Sequence, residues 1–182
     1  QEVCLGGAST LMSVNVNFSI GTPTYQWYEN DENSNQGGTP IAGANQATFL
    51  PPTASEGEFY YYVIVSFSNS SCGPLRSNPA KLNVVPLAEL NPIDNFEVCT
   101  GDIIPRINFS TTAPSMLHTF SWTNSNPAIG LVANGVGNIP EFTVINTSGV
   151  TQTATITVES QSIFGGDPCG NDVTEFTITV AS

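Results

Sequence analysis

Basic residues are nearly absent. Arg76, Lys81 and Arg106 face fifteen acidic side chains, for a formal net charge of −12. Phosphate backbones and anionic lipid surfaces attract clustered Lys and Arg, so neither a nucleic-acid partner nor direct membrane insertion is expected. No apolar run approaches the 18 or more residues that span a bilayer, and Gln1 is followed by neither a basic segment nor an apolar signal core. There is one histidine, His118, and no CxxC pair, so a zinc site lacks its usual ligand spacing. A Ser-His or Cys-His centre would have to use that single imidazole, which sits at the start of a strand with no nucleophile motif around it. No glycine-rich phosphate cradle is present either. Intrinsic catalysis is therefore not expected. Charged residues make up only 10% of the chain, which leaves Asn, Ser, Thr and Gln to hydrate the surface and suits an extracellular protein.

What the chain does contain, it contains twice. Val3-Cys4-Leu5-Gly6-Gly7 is echoed by Val98-Cys99-Thr100-Gly101-Asp102, and Cys72-Gly73 by Cys169-Gly170. Trp27 follows Cys4 by 23 residues and Trp122 follows Cys99 by 23. A common offset of 95 residues is the mark of tandem homologous units. Two domains are expected, residues 1–86 and 87–182, each long enough to bury one modest core. The segment from Pro86 to Phe96, with two prolines and little Gly or Ser, reads as a short, stiff linker.

The local pattern is that of strands throughout. Thr10 to Phe18, Tyr25 to Tyr28, Thr48 to Leu50, Phe59 to Phe67 and Ala80 to Val85 are expected strands of the first unit. In the second they are Arg106 to Phe109, Thr119 to Trp122, Glu141 to Ile145, Thr151 to Val158 and Glu175 to Val180. Thr151 to Val158 alternates Thr and Gln with apolar residues, the pattern of a half-buried strand. Seven or so short strands with a tryptophan early in the third, at one cysteine pair per unit, indicate an all-β protein of two tandem immunoglobulin-like β-sandwiches with Trp27 and Trp122 in their cores. The even cysteine count suits one disulfide per unit, Cys4 with Cys72 and Cys99 with Cys169. Closing a loop of about 70 residues would contribute roughly 4 kcal/mol on the chain-entropy model.

A specific resemblance follows. Gly130 to Thr143, with Asn146-Thr147 and Thr153 to Val158, resembles the PKD-like repeats of surface proteins from Bacteroidota. Val3-Cys4-Leu5-Gly6-Gly7, Tyr25-Gln26-Trp27-Tyr28 and Ser77-Asn78-Pro79-Ala80 resemble the immunoglobulin-like repeats of the same proteins. Giant repetitive adhesins of this kind include the SprB-type gliding-motility adhesins. The resemblance implies type IX secretion, an outer-membrane-associated position at the cell surface, and a filament that the motility machinery moves while the adhesin grips the substratum. The partners it implies are neighbouring repeats, the secretion and gliding machinery through the parent protein, and surface polysaccharide or substratum. Such repeats also occur as spacers or carbohydrate-binding modules of secreted enzymes.

Two candidate sites remain. If Phe59, Tyr61, Val63, Val65 and Phe67 face inward, then Tyr60 and Tyr62 emerge opposite them with Tyr28, an aromatic platform of the sort that stacks on sugar rings. A one-residue slip of register, or a covering repeat, would abolish it. Glu29, Asp31 and Glu32 share one loop, and Asp167 and Asp172 flank Cys169. Calcium is the only cofactor these carboxylates suit, yet the spacing matches no EF-hand and a solvated acidic loop is the simpler reading. Four sequons, at Asn17, Asn69, Asn108 and Asn146, are read as chance matches in a chain rich in Asn, Ser and Thr.

Overall fold

A strand with one face wet and one face dry must lay its dry face on a second sheet, and this chain does so twice. The computed structural model describes residues 1–17, 21–68 and 73–182. Cys72 and the sequons beginning at Asn17 and Asn69 fall wholly or partly outside them. The chain divides into two compact units, Gln1–Pro86 and Leu87–Ser182. Among the described residues there is no α-helix, only a 3₁₀ turn at Pro127–Ile129, so no helix is long and apolar enough to cross a membrane.

The first unit contains β1 (Glu2–Cys4), β2 (Met12–Ser13), β3 (Pro23–Asn30), β4 (Thr39–Pro40), β5 (Thr48–Phe49), β6 (Gly57–Phe67), β7 (Leu75–Arg76) and β8 (Ala80–Val85). Its larger sheet runs β1-β8-β6-β3-β4, with β7 also on β6, and the facing layer is the pair β2-β5. The β6 face carrying Tyr61, Val63 and Val65 packs with Trp27, Leu82, Val84 and Met12, and Phe59 and Phe67 join it at the rim. The indole of Trp27 lies 5.5 Å from the Phe49 ring, Phe49 lies 5.3 Å from Tyr61, and the Trp27 N–H donates to the Gln46 carbonyl at 2.9 Å. Of the expected Thr10 to Phe18 strand, only Met12–Ser13 is a strand among the described residues. Met12, Val14 and Val16 do turn inward by the expected alternation, yet only Met12 and Ser13 pair, because their partner β5 is itself two residues long.

β7 and β8 are one strand interrupted at Ser77-Asn78-Pro79. Proline has no N–H for the ladder, and at the break the Ser77 hydroxyl stands in for a backbone group, accepting from the Val63 N–H at 3.0 Å.

The second unit repeats the plan with β9 (Phe96–Cys99), β10 (Ile103–Ile104), β11 (Leu117–Asn124), β12 (Asn134–Val136), β13 (Phe142–Thr143), β14 (Gln152–Phe164) and β15 (Asp167–Ala181). The order β12-β11-β14-β15-β9, faced by β10-β13, is that of the first unit element for element. Both units are immunoglobulin-like sandwiches. Arg106 to Phe109 makes only the single bridge Ile107–Ile139. In contrast, β14 and β15 run well beyond the expected Val158 and before the expected Glu175. They meet at Gly165-Gly166, φ 62° and 97°, a two-residue turn whose positive φ values match strand twist and cost glycine nothing sterically. Ala154, Ile156, Val158, Phe176, Ile178 and Val180 are buried, while Thr153 and Glu159 stay exposed.

Much of the linker segment belongs to the second unit. Leu90 joins its core cluster, the Leu90 N–H donates to Asp172 Oδ2 at 2.6 Å, Glu89 exchanges hydrogen bonds with Thr112, and Asn91 donates its N–H and its Nδ2 to Ser110. Three buried asparagines pin loops in a common way. Asn30, Asn124 and Asn146 each donate through Nδ2 to two backbone carbonyls and accept through Oδ1 from an N–H two residues on.

The cysteines depart from the expected pairing. Cys4 and Cys169 are each disulfide-bonded, whereas Cys99 is a free, exposed thiol, so a Cys99–Cys169 bridge is not formed. Register gives the reason. Cys99 lies beside Ala181 at one end of β15, and Cys169 lies 12 residues back along that same strand. At about 3.4 Å per residue the two are on the order of 40 Å apart, far beyond the roughly 7 Å between Cα atoms that a disulfide spans.

Trp122 is packed against Gly135, its cross-strand partner. A Cβ on Gly135 would lie 2.3 Å from Cζ2 and 3.0 Å from Nε1 of the indole, and turned this way the indole N–H finds no acceptor among the described residues. Gly135→Ala is expected to destabilise the second unit by about 1–3 kcal/mol through overpacking. Thermal unfolding of the variant checks this: a shifted transition for one unit with the other unmoved is the expected result, and two unmoved transitions would contradict it.

Candidate functional surface

The outer faces of β3 and β6 hold the three tyrosines singled out from the sequence, in the strand parity expected for them. They do not form an exposed platform. Tyr28 and Tyr62 stack, ring centroids 5.1 Å apart and planes 9° from parallel, but Tyr62 is 0% exposed and Tyr28 is half-buried. What covers them is the loop from Asp31 to Gly38. Asn30 anchors its interior by donating to the Ser34 and Gln36 carbonyls at 3.1 and 3.0 Å, and the Tyr62 hydroxyl donates to the Gly37 carbonyl. Asn35 Nδ2 donates to the Ser77 carbonyl at 2.9 Å, and Arg76 Nη1 returns a bond to the Asn35 carbonyl at 2.8 Å. The Arg76 guanidinium sits 5.9 Å from the Tyr62 ring centroid, within cation–π range. Gly38, at φ 76°, closes the loop where a side chain would meet the Glu29 carbonyl at 2.7 Å. The tyrosines thus serve as the floor of a folded loop. The signal in the sequence was Asn30 at the end of a strand, which reads there as one more polar residue.

Tyr60 stands apart from the stack. Its hydroxyl donates to Glu58 Oε2 at 3.2 Å, and Lys81 bridges the other carboxylate oxygen in an exposed ion pair. The hydrogen bond from Lys81 holds the Glu58 carboxyl below the ordinary carboxylate range, and the same bond pushes the Lys81 ammonium up.

Beside these residues a cleft of about 470 Å³ is lined by Glu29, Asp31 and Glu58 with Asn30, Gly38 and Thr39. Its carboxylates have partners of their own: Tyr61 donates to Glu29 at 3.2 Å and Lys81 pairs with Glu58. Glu32 is exposed at the loop tip, with its N–H given to Asn30 Oδ1. In the second unit Asp167 is exposed next to the hairpin turn, while Asp172 accepts from the Leu90 N–H. No three acidic, His or Cys side chains come together as a metal-binding group among the described residues.

His118 and Ser162 do meet, Nδ1 to Oγ at 3.0 Å, while Nε2 lies 2.8 Å from both the Ala113 carbonyl and Thr111 Oγ1. A carbonyl only accepts, so Nε2 carries a proton toward Ala113 and the Ser162 hydroxyl donates to Nδ1. Ser162 is 1% exposed. The arrangement clamps the loop before β11 to β14 and presents no reachable nucleophile.

Two outcomes follow from this geometry. Asn30→Ala frees the loop from its anchor, so nitration of Tyr62, slower than that of Tyr60 in the native chain, is expected to accelerate toward the Tyr60 rate. Equal slow nitration in the variant would show that Asn30 is not what holds the cover. Burial, and next the charge of Glu29, push the Tyr61 hydroxyl well above the ordinary value of 10.0. The unfolded chain therefore ionises first, and the stability that Tyr61 gives is whole below pH 10 and falls as pH rises above it. Tyr61→Phe is expected to lose less stability than the native chain between pH 9 and 11.5 in urea titrations, and parallel pH profiles would refute the assignment.

A family model described as "Domain of unknown function (DUF8696)" matches residues 1–86, the whole first unit. Comparison with curated proteins gives no match. Among solved structures, the chain is similar to Sidekick-1 immunoglobulin domains 1–4, at 14% identity and a TM-score of 0.44, over 100% of this chain and 46% of that one. It is also similar to human mucin-like protocadherin EC1–2, at 12% identity and a TM-score of 0.42, over 99% of this chain and 93% of that one. A third is the fibronectin(III)-like modules of Clostridium thermocellum CbhA, at 12% identity and a TM-score of 0.35, over 100% and 88%. The chain spans about half the length of the Sidekick-1 structure.

Proposed function

We propose that these two units are a tension-bearing segment of an exported bacterial cell-surface adhesin of the giant repetitive kind, the gliding-motility filament that grips the substratum. The observation that carries the reading is the pairing of terminal strands. In each unit the first strand lies parallel to the last, Glu2–Cys4 beside Asn83–Val85 and Phe96–Cys99 beside Ile178–Ala181. Pulling a chain by its two ends draws parallel terminal strands past one another. The inter-strand hydrogen bonds then share the load instead of opening one after another, as they would in a hairpin pulled from its open end. A repeat that transmits force gains resistance from this arrangement.

Disulfide-bonded cysteines support an oxidising compartment outside the cytosol, and a surface whose charge is almost wholly of one sign discourages collapse of neighbouring repeats onto one another. On this reading the partners are adjacent repeats and, through the parent polypeptide, the secretion and motility machinery and the substratum.

The terminal pairing is testable at one atom. The Leu5 N–H donates to the Val85 carbonyl at 2.9 Å, and Leu5 is the second residue of a four-residue turn, a position proline favours. Leu5→Pro removes the bond and keeps the turn, at about 1 kcal/mol of equilibrium stability. Single-molecule extension of the reduced chain is expected to give two unfolding events of about 300 Å apiece, and in the variant one event moves to clearly lower force. Two unchanged forces would show that the terminal strands do not carry the load.

A further inference from the structure

Asn134-Gly135 is the chain's one Asn-Gly step. Asparagine followed by glycine often marks a tight turn, yet here it lies within β12, where Asn134 faces Thr123 and Gly135 faces Trp122 on β11. Such a step is chemically labile, because glycine has no Cβ to keep its amide nitrogen away from the side-chain carbonyl that precedes it. What restrains it is strand pairing. The Asn124 N–H donates to the Ala133 carbonyl and the Gly137 N–H to the Phe120 carbonyl, both at 2.8 Å. Trp122 and Gly135, midway between these pairs, are therefore also a hydrogen-bonded pair, in which the Gly135 N–H donates to the Trp122 carbonyl. The Asn134 side chain is exposed, in a groove it shares with Thr123, Val136, Thr157 and Glu159. β12 is three residues long and ends its sheet, paired among the described residues with β11 alone. Such a segment opens more readily than the strands beneath it.

We propose that Asn134 is a self-modifying site, converted to isoaspartate with water as the only co-reactant, and that the pairing of β12 sets its rate. When β12 opens, the Gly135 amide nitrogen gives its proton to base and attacks Asn134 Cγ. A C–N bond forms, the Cγ–Nδ2 bond breaks, and Nδ2 takes up a proton and leaves as ammonia. Water then opens the five-membered imide. Attack at the main-chain carbonyl leaves the chain running on through Cβ and Cγ, with a new carboxylate beside it; attack at Cγ gives aspartate instead. No electrons are transferred. The isoaspartyl strand cannot close as before. Gly135 lies so near the Trp122 indole that a Cβ there would sit 2.3 Å from Cζ2, and the added methylene shifts the backbone at that contact. Trp122 is 4% exposed and belongs to the core cluster, so the change reaches the core of the second unit.

The test incubates the full chain in one mildly alkaline buffer, folded and separately unfolded in guanidinium chloride. Peptide mass mapping that separates isoaspartate from aspartate follows Asn134 in each. Conversion is expected in both, slower by at least about tenfold in the folded chain, since opening β12 breaks more than one backbone hydrogen bond. Folded chain aged in this way is expected to show a lowered thermal transition for the second unit. Asn134→Gln, whose longer side chain closes the imide ring poorly, is expected to keep that transition after the same ageing. Equal rates in the folded and unfolded chain overturn the control by β12, and an unconverted Asn134 in the unfolded chain overturns the site. An equal loss of stability in aged Asn134→Gln overturns the link to the core.

Discussion

The parallel contact between first and last strand is the constraint from which the rest of each unit follows. A strand that begins a domain can lie parallel to the one that ends it only if the chain between them crosses from one layer to the other and returns. That route is what the intervening strands make, from β2 to β6 in one unit and from β10 to β14 in the other. It also fixes which face is dry. Once β8 is held between β1 and β6, Leu82 and Val84 point the same way as Tyr61 and Val63, and Trp27 on β3 completes the wall.

Within that frame the two units solve one problem with different residues. The last strand of the first is broken at Ser77-Asn78-Pro79, where a hydroxyl takes over a ladder bond. In the second, β15 runs unbroken from Asp167, joined to β14 by a glycine pair at the hairpin turn, and the ladder shifts register between Gln161 and Ile163. The tryptophans differ likewise. Trp27 spends its N–H on the Gln46 carbonyl, while Trp122 is turned against a glycine that leaves room for the ring and no acceptor. Strand order is kept because it depends on alternation, which many sequences satisfy. The details vary because each is settled by one or two contacts.

That distinction also explains what was legible in advance. Alternation placed Phe59, Tyr61, Val63, Val65 and Phe67 on the inner face correctly, since a period of two survives any loop around it. It said nothing useful about Glu159 to Ser162, where buried Ser160 and Ser162 are polar and the strand continues without an apolar pattern to announce it. Gly165-Gly166 was the available signal for that hairpin. The Tyr28 and Tyr62 parity was readable and their burial was not, because it depends on Asn30 folding a polar loop back over the sheet, and a polar run looks the same whether it is solvated or tied down.

The cysteines show the limit most sharply. Their near-equal spacing in the two halves measures the repetition of the units and not the proximity of the cysteines within one. Homology predicts that Cys99 and Cys4 share a position, which they do, down to the turn that follows. It cannot predict that Cys99 and Cys169 touch, because both lie along β15 and the length of that strand separates them. β15 is fifteen residues long and lies between β14 and β9, and that length rules out a clip joining its two ends within the unit.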